Sequence, residues 1–88
     1  MSWQSDKDME WASQTIKRSL SGTWRGEPSE DLGEALRFLL WWRGSRVIEK
    51  YAEVLTPPST DEERVGPVYY EDKPLWLSKK HARFLLKC

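Results

Sequence analysis

Phe38-Leu39-Leu40-Trp41-Trp42-Arg43-Gly44-Ser45 is the stretch on which the fold turns: five consecutive large apolar side chains, then a glycine and a serine. Successive residues of an α-helix point about 100° apart, so five in a row sweep the whole circumference and no single buried face holds them all. At least one tryptophan must lean on a second element or on a partner. Upstream, Leu32, Ala35, Leu36 and Leu39 form a helical stripe, opened by Pro28, by Ser29 as N-cap, and by Glu30 and Asp31 in the first turn. Downstream, Val47, Ile48, Tyr51, Val54 and Leu55 form a second stripe, rotated from the first by about 100°. A helix stop at Gly44 and a new cap at Ser45 explain that rotation most economically, placing a second helix at about 29–43 and a third at about 45–55. One long helix through Gly44-Ser45 is the competing arrangement.

Working outward toward the N-terminus, Ser5 is a good cap, with Asp8 and Glu10 behind it and Met9, Ala12, Ile16 and Leu20 at spacings of three and four. This predicts a first helix at about 6–20, ended by Ser21-Gly22. Trp24 then sits in a glycine-flanked loop, either folded back as a lid on the core or pointing outward as an anchor. Toward the C-terminus, the proline-rich and acidic stretch 56–64 reads as a flexible linker. Val68-Tyr69-Tyr70 and Leu75-Trp76-Leu77 read as strands joined by the four residues Glu71-Asp72-Lys73-Pro74, a β-hairpin at about 67–77. An isolated hairpin is marginal, so it must lie on a helix. Ser78 caps a last helix, 79–87, with Ala82, Leu85 and Leu86 inward. The fold class is therefore α+β, mainly α: three N-terminal helices, a short hairpin and a C-terminal helix in one domain, 1–88.

Eighteen Leu, Ile, Val and Phe in 88 residues would sit near the composition of disordered chains. Six Trp and three Tyr move the chain off that boundary, since each ring buries roughly 150 to 250 Å². Charge is balanced at fourteen of each sign, which removes the simplest argument for a nucleic-acid binder. The balance hides a polarised C-terminal half: residues 56–72 carry a net of −4 and residues 78–88 a net of +4. The N-terminus lacks the pattern of a secretory signal, and no apolar run is long enough to span a bilayer. With a single cysteine, the expectation is a cytoplasmic protein with no membrane association.

No residue set assigns itself a chemical role. His81 neighbours only Lys79, Lys80 and Arg83 and is expected on the surface, while Cys88 at a helix C-terminus lacks the positive field a nucleophilic thiolate needs. Asp61, Glu62 and Glu63 lack the alternation and glycine of a calcium loop. No phosphate loop, nucleophile motif or zinc spacing occurs, so the expectation is a non-enzyme without cofactor or metal. Of the tryptophans, Trp11, Trp76 and one of Trp41 or Trp42 are natural core residues. Trp3 and Trp24 have no periodic reason for burial.

Exposed tryptophan beside arginine is the composition of interface hot spots, which marks Trp24, Arg25, Trp41, Trp42 and Arg43 as a candidate protein-binding set. The leading expectation is a module that occludes or bridges a protein partner. Small, catalytically empty domains of this type are used by phages and other mobile elements as inhibitors of host factors, and also serve as complex subunits or homodimers. The rival reading is nucleic-acid binding through Arg46, Lys50, Lys79, Lys80, Arg83 and Lys87. It rests on the helix, helix, helix, hairpin order of a winged-helix domain, whose third helix enters the major groove. Against it stand Glu49 and Glu53 on that same helix, and the simpler account that the lysines solvate the last helix.

Overall fold

The structure is a computed structural model describing residues 5–87, so Trp3 and Cys88, both considered above, lie outside the described residues. Three α-helices and one hairpin make up its elements: α1 (Ser5–Ser19), α2 (Glu30–Lys50), a 3₁₀ turn (Ala52–Leu55), β1 (Val65–Tyr70), β2 (Lys73–Leu77) and α3 (Lys79–Lys87). The mainly helical class, the antiparallel hairpin and the C-terminal helix are as expected; three N-terminal helices are not. The expected second and third helices are one, because Gly44-Ser45 does not break the chain.

The reason lies in what covers α2. Ser29 caps its start, its Oγ accepting from the Leu32 N–H at 3.3 Å, and the helix then serves as the spine on which α1, β1 and α3 all pack. A helix with neighbours on several sides needs apolar residues on several sides, and the apolar phase moves along it as the neighbour changes. Gly44 is buried in mid-helix, where the Tyr70 ring of β1 lies over it: a Cβ built at Gly44 would come within 2.6 Å of Tyr70 Cε1. The glycine that looks like a helix stop is a notch for a tyrosine. The helix ends six residues later at Lys50, and its C-cap Tyr51 donates its N–H to Val47 O at 2.7 Å. A tighter 3₁₀ turn follows, burying Val54 and leaving Leu55 exposed.

The hairpin is tighter than the sequence suggests. Glu71 and Asp72 alone form the turn, with φ of 47° and 67°, the paired positive values of a type I′ connection. Lys73 and Pro74, expected in the loop, pair instead with Tyr70 and Tyr69. Proline is tolerated there because a two-stranded sheet has only edges. Arg64 closes the polar stretch before the hairpin, donating through Nη1 to the Glu53 carbonyl at 2.9 Å and through Nε to Glu62 at 2.8 Å.

The core runs the length of α2, gathering Ala12 and Ile16 from α1, Leu36, Phe38, Leu39 and Leu40 from α2, Leu75 and Leu77 from β2, and Leu85 from α3. Trp24 is part of it. Its loop turns back at Gly26, where the Gly66 N–H of β1 donates to the Gly26 carbonyl at 3.0 Å. Trp24 Nε1 then donates to Ser19 O at 2.9 Å, satisfying a carbonyl at the end of α1.

Candidate functional site

Tryptophan placement inverts the expectation. Trp24 is only 1% exposed, whereas Trp41 and Trp42 are 61% and 52% exposed and Trp11, expected in the core, is 41% exposed. Of the run that opened the problem, Phe38, Leu39 and Leu40 go in and the two tryptophans stay out. They form a pair, ring centroids 5.1 Å apart and edge to face, and Trp42 meets Phe38 in the same way at 6.5 Å. Arg43 is half-buried and donates through Nη1 to the Leu85 carbonyl, so it ties α2 to α3. Arg25 is exposed beside the buried Trp24. The five proposed hot-spot residues therefore do not share one exposed patch: Trp41, Trp42 and Arg25 are exposed, Arg43 is half-buried and Trp24 is buried.

A second surface forms where α2 meets α3. A groove of about 480 Å³ is lined by Lys50, Tyr51, Lys80, Arg83, Phe84 and Lys87. Four of the six cations named for nucleic-acid binding thus converge, while Arg46 and Lys79 do not line the groove. Lys50 Nζ lies 5.7 Å from the Tyr51 ring centroid and 5.2 Å from that of Phe84, and Lys80 Nζ lies 5.0 Å from Tyr51. Each is a cation over an aromatic face. Tyr51 and Phe84 meet edge to face at 5.4 Å. The helix, helix, helix, hairpin order expected for a winged-helix domain is not the order observed, because only α1 and α2 precede the hairpin as α-helices. The rings of this site were missed in the sequence, though Lys80, Arg83 and Lys87 at spacings of three and four do mark one helical stripe.

His81 corrects a further expectation: it is buried, at 1% exposure, in contact with Tyr51 at 5.0 Å. The Ser78 N–H donates to its Nδ1 at 2.8 Å, which makes Nδ1 the acceptor nitrogen and leaves Nε2–H to donate to Glu53 Oε1 at 3.0 Å. This is one half of a capping box, with histidine in the usual place of glutamate, reaching back to the backbone N–H three residues earlier. Burial holds the His81 pKa below its ordinary value of 6.5, outweighing the opposing pull of Glu53. Hydrogen bonds from Lys80 and then His81 bring the Glu53 carboxyl down to about 2. Ser78 Oγ also lies 3.0 Å from Nδ1, so serine, histidine and glutamate stand in a row. The single lone pair of Nδ1 is already taken by the backbone N–H, so the row serves as a helix cap and does not activate the serine.

Among the described residues no cluster of three or more His, Cys, Asp or Glu is placed to hold a metal ion, and no helix is long and apolar enough to cross a membrane. The chain matches no protein-family model, and no curated protein or solved structure is significantly similar to it.

Proposed function

We propose that this protein is a non-enzymatic binding module whose partner is another protein, held through Trp41 and Trp42. One observation carries the reading: two adjacent tryptophans, more than half exposed, are presented from the helix that forms the spine of the core. A rigid helix offers its side chains with little ordering cost, and tryptophan is the residue most enriched among interface hot spots. Each ring, a little over half exposed, would bury roughly 80 to 150 Å² more on docking. Trp11 adds a third exposed indole on α1. A folded body of this size with aromatic anchors acts by covering a partner's surface or by bridging two partners.

The test pairs affinity capture from native cell extract with direct reconstitution of the captured complex. The double variant Trp41→Ala/Trp42→Ala should keep the fold by circular dichroism, lose the captured protein, and fail to bind it when purified. Sedimentation distinguishes self-association: a wild-type mass above 10.4 kDa that returns to the monomer value in the double variant makes the partner a second copy. An unchanged set of captured proteins and an unchanged mass would sink the reading.

A further inference from the structure

We propose that the groove between the end of α2 and α3 is a binding site for an oligophosphate, a compact anion of two or more linked phosphate groups. The site is distinct from the tryptophan pair and does not depend on it. Lys50, Lys80, Arg83 and Lys87 converge on a groove of about 480 Å³ with no carboxylate among its lining residues. Of the four cations, Lys80 alone shares a carboxylate, Glu53 at 2.9 Å; among the described residues Lys50, Arg83 and Lys87 pair with none. A chain of zero net charge has therefore gathered about three uncompensated positive charges in one place.

The rings explain how those charges are kept together. Like charges side by side repel, and an ammonium seated over an aromatic face recovers part of that cost. Lys50 sits over Tyr51 and Phe84, and Lys80 over Tyr51. With ammonium groups over them, these rings act as seats for cations and not as platforms on which bases stack. That argues against a nucleic-acid strand held by stacking. Ligand charge density argues against an acidic peptide. The row Lys80, Arg83, Lys87 spans about 10 Å at 1.5 Å per residue, and an extended peptide brings same-face side chains only every ~7 Å, hence about two single charges. A phosphate group carries about −1.5 to −2 and three acceptor oxygens, so two linked phosphates match the groove's excess and reach both the arginine fork and the lysines.

The experiment is calorimetric titration of the full chain with inorganic triphosphate at low salt. One site is expected, weakened about tenfold or more by Lys50→Glu or Arg83→Glu, since each removes a charge-assisted hydrogen bond. Binding should also fall steeply as salt rises. Lys17→Glu, an exposed change on α1, should leave affinity unchanged. Where a charge reversal fails to fold, Lys50→Gln and Arg83→Gln are read in its place. A nucleoside triphosphate should bind within a few-fold of triphosphate alone; affinity more than tenfold tighter would mean the rings do receive a base, and would overturn the proposal. So would the absence of binding, indifference to the Lys50 and Arg83 changes, or tighter binding of an oligoglutamate or of an oligonucleotide lacking terminal phosphates.

Discussion

Trp24 and the Trp41-Trp42 pair are the same residue type under opposite covers. Trp24 lies in an irregular, polar loop, and is buried; Trp41 and Trp42 lie in the most apolar run of the chain, and are exposed. What separates them is whether a second element arrives with a partner for the indole. The loop returns to β1 at Gly26 and offers Trp24 Nε1 the carbonyl of Ser19, so the ring is buried with its polar atom satisfied. The pair projects from a helix whose other sides are already taken by α1, the hairpin and α3. Local hydrophobicity ranks residues for burial, but the supply of neighbours decides which are buried.

The largest effect expected from breaking this comparison is on Trp24. Trp24→Ala should cost about 3–5 kcal/mol in denaturant unfolding, enough to unfold much of the population, whereas Trp24→Phe should lose the hydrogen bond and about 1 kcal/mol beyond the change in volume. A cost below 1 kcal/mol for the alanine variant would place the indole outside the core. Next comes Gly44, where cover by Tyr70 is the issue. Gly44→Ala gains about 1 kcal/mol of helix propensity yet pushes into the Tyr70 ring, a cost of about 1–3 kcal/mol, so a net loss is expected. Gly33→Ala on the same helix meets only ordinary contact, Pro28 Cγ at 3.6 Å, and should stabilise by up to about 1 kcal/mol. Thermal melts of the two variants should therefore move in opposite directions.

A pH titration sharpens the comparison at α3, whose cover over α2 depends on the His81 cap. The folded-state pKa of His81 lies below its ordinary value of 6.5, so the unfolded chain binds the proton first and stability falls as pH drops below that value. Glu53 adds a second loss in the same direction, as pH falls from 4.5 toward about 2. Stability that is flat from pH 7 to 5, or a His81→Asn variant with the same profile as wild type, would remove this account. The smallest effect is expected for Trp41→Ala and Trp42→Ala, each within about 0.5–1 kcal/mol of wild type, because an exposed ring has little burial to lose.

Local signals in the sequence located most elements. The cap at Ser29 and the acids that open α2 act over a few residues and stand where they were expected, and the hairpin turns at the expected place but through two residues instead of four. Gly44 misled because a glycine followed by serine is the same signal whether it stops a helix or makes room for a ring 26 residues away. His81 misled because its sequence neighbours are cations, while its partners Tyr51 and Glu53 arrive from another element. The basic groove was half legible: the stripe on α3 could be counted, but Lys50, Tyr51 and the seating of lysines on rings required α2 to end where it does.

By itself the sequence determined most of the elements, the polarised C-terminal half and the excess of tryptophan, because capping, periodicity and charge are properties of short segments. Tertiary structure alone decided that α2 runs unbroken, that Trp24 is inside while Trp41 and Trp42 are outside, and that four cations share one groove. The physical reason is that burial and pairing depend on which distant surfaces meet, and a contact between Gly44 and Tyr70 or between Ser19 and Trp24 leaves no periodic trace in the chain.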